Sequence, residues 1–330
     1  MSRLRLTLAC QDYDRTRALW DGRVAPEGID LVYVPLSAEE LFWRQLQYME
    51  FDVSEMSLSK YLTERSRENP RFIAIPVFPS RMFRHSFIFI NKKAGIKEPQ
   101  DLKGKRVGIP EYSMTATVWL RGTLQHDYGV APPDMEWYVG GLDMPGRKER
   151  MKIKLPDDVP LHPIPGDKTL SEMLANGEID ALITARAPAS FFQNHPDVGR
   201  LWPDYKEVEM DYFKRTKLFP IMHTVAIKQE VYDASPWVAQ SLYKAFCEAK
   251  KLSQEFLTKL SHLRYMLPWL IPDYNQTIAV MGEDYWPYGV EANRVALEAI
   301  TQYSYEQGLS SHKFALEELF APNTYEEFKV

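Results

Sequence analysis

Two histidines open two short apolar stretches in the same way. Residues 85–91 read His-Ser-Phe-Ile-Phe-Ile-Asn, and residues 223–229 read His-Thr-Val-Ala-Ile-Lys-Gln. Imidazole titrates near neutral pH, so His85 and His223 are candidate proton donors; the plain alternative is a structural hydrogen-bonding role. With Asp12 or Asp14 they could also bind a divalent metal, given a third ligand converging from another loop. Arg81 and Arg84 lie just ahead of the first stretch, in Arg81-Met82-Phe83-Arg84-His85. A guanidinium fork matches a carboxylate in two hydrogen bonds, although either Arg could equally serve a surface ion pair. Tyr112-Ser113-Met114-Thr115-Ala116-Thr117 joins a strand to a helix start. Exposed N–H groups there attract anions, and Ser113, Thr115 and Thr117 add hydroxyls; simple N-capping is the alternative. Arg186 sits just past a strand end. Glu283 and Asp284 precede Trp286-Pro287-Tyr288-Gly289, which reads either as a carboxylate beside aromatic faces or as a capped turn. Tyr112, Trp119 and Trp286 could stack on a flat ligand or pack in the core.

The elements that must hold these groups alternate strand and helix. Residues 4–9 predict a first strand ending in the polar loop Gln11-Asp12-Tyr13-Asp14, and 29–34 a second. Ser37 with Glu40 reads as a capping box, and Phe42, Leu46 and Met49 share one face of the helix behind it. Short strands follow near 53, at 72–78 and at 86–91. Lys103-Gly104-Lys105 turns into a strand, then a helix that Gly129 terminates. Residues 140–168 are rich in Pro, Gly and charge and read as a long loop or paired short strands. Thr169 with Glu172 caps a helix, and 179–184 is a strand. Ser235-Pro236 starts a helix with Val238, Leu242, Phe246 and Ala249 on one face. A last helix spans about 291–307. Such βαβ alternation implies largely parallel sheets. In open α/β sheets ligands bind beyond the carboxyl ends of the strands, which favours the 112–117 loop and Arg186 as binding groups.

At 330 residues the chain suits two domains. The matched histidine stretches suggest two chain crossings: one lobe from 1–94 plus 219–330, the other inserted as 95–218, the two stretches neighbouring in space. The composition, 45% hydrophobic and 26% charged, is that of a globular protein. A net charge of −5 argues against a general nucleic-acid binder. Two distant cysteines, Cys10 and Cys247, exclude a disulfide framework and any CxxC motif. The early apolar run is too short for a signal segment, and no stretch has membrane-spanning length, so the expectation is a cytoplasmic protein without a membrane partner. A homo-oligomer is left open.

In order, the strand–loop–helix start, EPQDLKGKRVGIPEYSMTA, LANGEIDALITARAP and the return strand resemble the type II periplasmic-binding-protein fold over nearly the whole chain. That resemblance implies an α/β, two-lobed molecule with two hinge crossings, each lobe a mostly parallel sheet flanked by helices. FPSRMFRHSFIFIN, His223 and GEDYWPYGVEAN further resemble the 4,5-dihydroxyphthalate decarboxylase family. This narrower resemblance implies a carboxy-lyase of phthalate degradation. It would convert 4,5-dihydroxyphthalate to protocatechuate and CO2 with no organic cofactor. Its needs are a proton for the ring carbon (His223 or His85), a clamp for the other carboxylate (Arg84, Arg81), and a base to charge the para hydroxyl (Glu283). Asp12, Tyr112, Ser113, Thr115, Thr117, Arg186 and Trp286 would line the substrate. Two alternatives remain open: a solute-binding protein for a small aromatic or carboxylate anion, and a ligand-sensing regulator. The acidic charge and the lack of a helix-turn-helix segment before residue 10 disfavour the latter.

Overall fold

The computed structural model describes residues 3–149, 155–258 and 263–325. The part of the 140–168 stretch between 150 and 154 lies outside these residues. Contact density divides the chain into two units.

The first unit comprises residues 1–81, 221–298 and 314–330. Its sheet contains β1 (Leu4–Cys10), β2 (Ile29–Pro35), β3 (Val53–Ser57), β4 (Phe72–Arg81) and β11 (Ile221–Lys228), in the order β2-β1-β3-β11-β4. β1 runs parallel to β2 and β3, whereas β11 runs antiparallel to both β3 and β4. Every residue of β3 is buried, as the central place of that strand requires. Helices α1 (Arg17–Trp20), α2 (Ala38–Tyr48), α3 (Leu58–Arg65), α8 (Gln229–Ala234), α9 (Trp237–Thr258) and α10 (Leu270–Met281) accompany the sheet. α9 buries Val238, Leu242, Phe246 and Ala249, the face its spacing predicts.

The second unit comprises residues 82–220 and 299–313. Its sheet contains β5 (Ile88–Asn91), β6 (Arg106–Ile109), β7 (Glu136–Val139), β8 (Leu161–Pro163), β9 (Ala181–Ile183) and β10 (Val198–Arg200), ordered β10-β5-β9-β6-β7-β8. The β9-β6-β7-β8 run is parallel, and β5 is antiparallel to β10 and β9. Helices α4 (Thr115–Tyr128), α5 (Leu170–Ala175), α6 (Ala189–Phe192) and α7 (Tyr205–Thr216) flank it. α4 ends at Gly129 in the left-handed region (φ 69°), where a Cβ would be strained. α11 (Arg294–Glu306) is shared, its residues from Ala299 onward belonging to this unit.

The fold departs from the sequence reading in particular ways. Each sheet is mostly parallel, as expected, but carries one reversed strand: β11 in the first and β5 in the second, the strands that follow the two candidate hinges, each run against their neighbours. These two strands lie in different sheets, while the segments that lead into them are neighbours, as expected: Arg81 is in register with Ile221, and the Met82 N–H donates to Pro220 O at 3.1 Å. Residues 299–313 pack with the middle of the chain, since Arg121 donates to Gln307 Oε1 at 2.8 Å and Gly122 lies against the Tyr303 ring. The 86–91 strand starts two residues late, after a 3-10 turn over His85–Phe87. At α2 the Ser37–Glu40 box does not form: Glu40 pairs with Arg44 at 2.9 Å. The buried face of α2 is Leu41 and Gln45 rather than Phe42, Leu46 and Met49. Gln45 is tolerated inside because its amide exchanges two hydrogen bonds with the Phe51 backbone. Among the described residues no helix is long and apolar enough to cross a membrane.

Candidate active site

In the first unit, strand pairing creates an acid–imidazole pair. On β11 His223 lies opposite Ser57 of β3, and Val225 lies opposite Glu55. Side chains two residues apart on a strand share a face, so Glu55 and His223 are diagonal neighbours within reach. β11 shifts register against β4 on both sides of His223, a bulge that re-aims the side chain. His223 Nδ1 lies 2.5 Å from Glu55 Oε1.

Glu55 is wholly buried and collects donors from the loop after β1. The Gln11 backbone N–H donates to Oε2 at 3.0 Å, and Tyr13 Oη donates to Oε1 at 2.7 Å. Burial alone would push this carboxyl up. His223, the Gln11 amide and the Tyr13 hydroxyl outweigh that and hold it at about 2. Glu55 is therefore ionised and acceptor-only, so Nδ1 of His223 carries the proton. The ring's other nitrogen, Nε2, is left for chemistry. Side-chain exposure is 0% for Glu55 and 16% for His223, so the carboxylate is sealed while the imidazole reaches the surface. Phe42 meets the ring edge-on at 4.9 Å. Burial and the Glu55 charge raise Tyr13 and Cys10, which stay neutral as phenol and thiol.

Beside this pair the Arg15 guanidinium lies 4.1 Å from the Tyr13 ring centroid and 4.3 Å from that of Trp286. Its Nε donates to Pro79 O at 2.5 Å. Trp286 is fixed in turn by Nε1 donating to Phe78 O at 2.9 Å. Arg81 is buried and braces the 287–293 turn, donating to Pro287 O at 2.7 Å and to Asn293 Oδ1. Burial lowers its pKa to about 9. Asp12 is exposed and paired with Arg17 at 2.5 Å. Glu283 is exposed just beyond α10.

The second unit holds the remaining candidates in two places. His85 is 3% exposed, lies 4.8 Å from Tyr212 and 5.1 Å from Trp202, and among the described residues has no hydrogen-bond partner on either ring nitrogen. Burial, with Arg215 adding, lowers its pKa to about 4. Arg84 donates to Ala185 O at 3.0 Å, and burial lowers it to about 10. At the carboxyl end of β6, the backbone N–H groups of Tyr112 (2.7 Å) and Ser113 (3.2 Å) converge on Glu149 Oε2. Ser113 Oγ donates to its Oε1. The Tyr112 ring is buried under Arg121 at 3.6 Å. Thr117 Oγ1 donates back to Met114 O at 2.8 Å, and Thr115 is buried at the first position of α4. Arg186 is largely exposed, 4.0 Å from Asp143. His85 and His223 fall in different units, and among the described residues no group of three His, Cys, Asp or Glu is placed to hold a metal ion.

No family model matches the chain. A curated relative from Comamonas testosteroni, named 4,5-dihydroxyphthalate decarboxylase, is 39% identical over 330 residues, covering 100% of both chains. The chain belongs to the 4,5-dihydroxyphthalate decarboxylase family. A second relative of that name, from Pseudomonas putida, is 42% identical over 214 residues, 65% of this chain and 83% of its own. Among solved structures, the periplasmic aliphatic sulphonate binding protein SsuA of Escherichia coli covers 98% of this chain and 99% of its own, at 16% identity and a TM-score of 0.52. The fold is thus that of the periplasmic binding proteins, in a family of decarboxylases.

Glu55, Gln11, Tyr13 and Arg15 were missed in the sequence reading of this family member, as was Glu149. For Glu55 a signal existed: a lone carboxylate inside the otherwise uncharged strand Val53–Ser57. A charge at the centre of a buried strand needs a partner, and only the tertiary pairing names His223.

Proposed function

We propose that this protein removes one carboxylate from 4,5-dihydroxyphthalate, giving protocatechuate and CO2, with His223 as the acid. The observation that carries the reading is the Glu55–His223 pair: a sealed carboxylate on Nδ1 and an imidazole that reaches the surface. The same logic orients histidine in other acid–base sites.

The imidazolium Nε2–H gives its proton to the ring carbon that bears the departing carboxylate. The para hydroxyl feeds electron density into the ring at that carbon. The carbon–carboxylate bond then breaks, CO2 leaves, and the bonding pair restores aromaticity. Glu55 stabilises the imidazolium before transfer, and solvent returns the proton afterwards. The protonated ring itself accepts the released pair, so the reaction calls for no organic cofactor. Arg15, paired with Asp14 at 2.9 Å, lays its guanidinium on the aromatic face of Trp286, where an anionic ring would compete with Asp14 for its charge.

The test is to mix chelator-treated protein with 4,5-dihydroxyphthalate and follow CO2 and protocatechuate. The wild type should turn over, and His223→Asn, which keeps an N–H for Glu55 but cannot shuttle a proton, should lose about 10²- to 10⁴-fold in kcat. Full activity in His223→Asn would move the acid elsewhere. Binding with no CO2, with or without added divalent metal, would favour a solute-binding protein.

A further inference from the structure

We propose that the Tyr112–Ser113 turn is a carboxylate-binding subsite that Glu149 fills as a tethered stand-in and yields to the carboxylate of the ligand. This rests on the reading above only in taking the ligand to be a carboxylate. Three donors converge on one carboxylate: Tyr112 N–H and Ser113 N–H on Oε2, and Ser113 Oγ on Oε1. Both residues that supply them are wholly buried. They stand at the carboxyl end of a parallel strand, where open α/β sheets place ligands.

A separate observation concerns Arg121. It is fully buried, and among the described residues its Nη1 has no hydrogen-bond partner. Its Nη2 donates to Tyr112 O at 2.6 Å, and its charge is felt by Glu149. The buried guanidinium stands on the carbonyl side of the turn, and its positive charge there favours an anion on the N–H side.

Glu149 is poorly suited to being the permanent occupant. It is only half-buried, on a segment of irregular backbone that follows β7. Two residues earlier Arg147 anchors the segment to Glu111, with an N–O distance of 2.6 Å, so Glu149 can leave while its tether stays. A tethered carboxylate competes with a free one as a local, concentration-independent inhibitor. Its removal should therefore tighten binding, as relief of any competing occupant does.

Phthalate is the probe, because it carries the two carboxylates without the hydroxyls that drive turnover. Calorimetry should show about 10-fold tighter phthalate binding by Glu149→Gln than by the wild type. Glu149→Asp, which keeps the charge on a shorter arm, should tighten it too. Ser113→Ala should weaken binding about 10-fold, and catechol affinity should respond to none of these changes. Equal or weaker phthalate binding by both Glu149 variants, each folded by its melting curve, would overturn the proposal; so would unchanged binding by Ser113→Ala. If phthalate binding follows the expected pattern while the wild type releases no CO2, the decarboxylase reading falls and the subsite stands. The reverse result separates them the other way.

Discussion

Glu55 accepts from His223, Gln11 and Tyr13 in a place that water does not reach. A buried carboxylate is tolerated only with such partners, and removing one leaves a charge uncompensated. His223→Ala should therefore lower stability by about 3 kcal/mol in urea unfolding, whereas His223→Asn should cost much less. Glu55→Gln keeps the shape but removes the charged acceptor that orients the His223 ring through Nδ1. In that variant kcat should fall by at least about 10-fold with KM little changed. A kcat that Glu55→Gln leaves unmoved would argue that the carboxylate only packs.

The elements supply these geometries through register and bulge. β11, antiparallel between β3 and β4, sets His223 diagonal to Glu55; the breaks in its β4 pairing adjust the aim. In the second unit, α4 is held by the stretch after Ala299. A Cβ on Gly122 would fall inside the van der Waals shell of the Tyr303 ring. Gly122→Ala should consequently destabilise by about 1–3 kcal/mol, although alanine is the better helix former. A neutral or stabilising outcome would mean that residues 299–313 do not pack there.

Protonation ties local burial to the stability of the whole molecule. His85 is held near 4 from an ordinary 6.5, so the unfolded chain takes up its proton first. Its contribution is fully present above pH 6.5 and is lost as pH falls toward 4. Glu209 runs the other way: burial raises it to about 7 from 4.5, so its contribution is lost as pH rises between those values. The two oppose each other between pH 4.5 and 6.5. Below 4.5, His85 and then Glu55, held at about 2, both act against the fold. Urea midpoints should change little between pH 6.5 and 4.5 and fall steeply beneath. His85→Phe, which suits the aromatic surroundings of Trp202 and Tyr212, leaves Glu209 unopposed and should become more stable on going from pH 7 to pH 5, where the wild type changes little.

The sequence by itself determined the fold class, the family and most element positions, because these rest on local signals. Apolar spacing marks the buried face of α9, Gly129 ends α4, and the order of short segments carries the likeness to relatives. Single candidate residues were legible as types: His223, Arg81 and Ser113 are all buried or half-buried and engaged. Their partners were not. Glu55 and His223 are separated by 168 residues, and Arg121 and Gln307 by 186. Such pairs exist only once strands choose register, which depends on the summed burial of the sheet and not on any short window. The tertiary structure alone decided that both sheets are mixed, that Arg81 braces a turn, and that the 112–113 turn already holds a carboxylate from Glu149. Each is a contact between groups distant along the chain, and distance along the chain is the one thing that local chemistry does not encode.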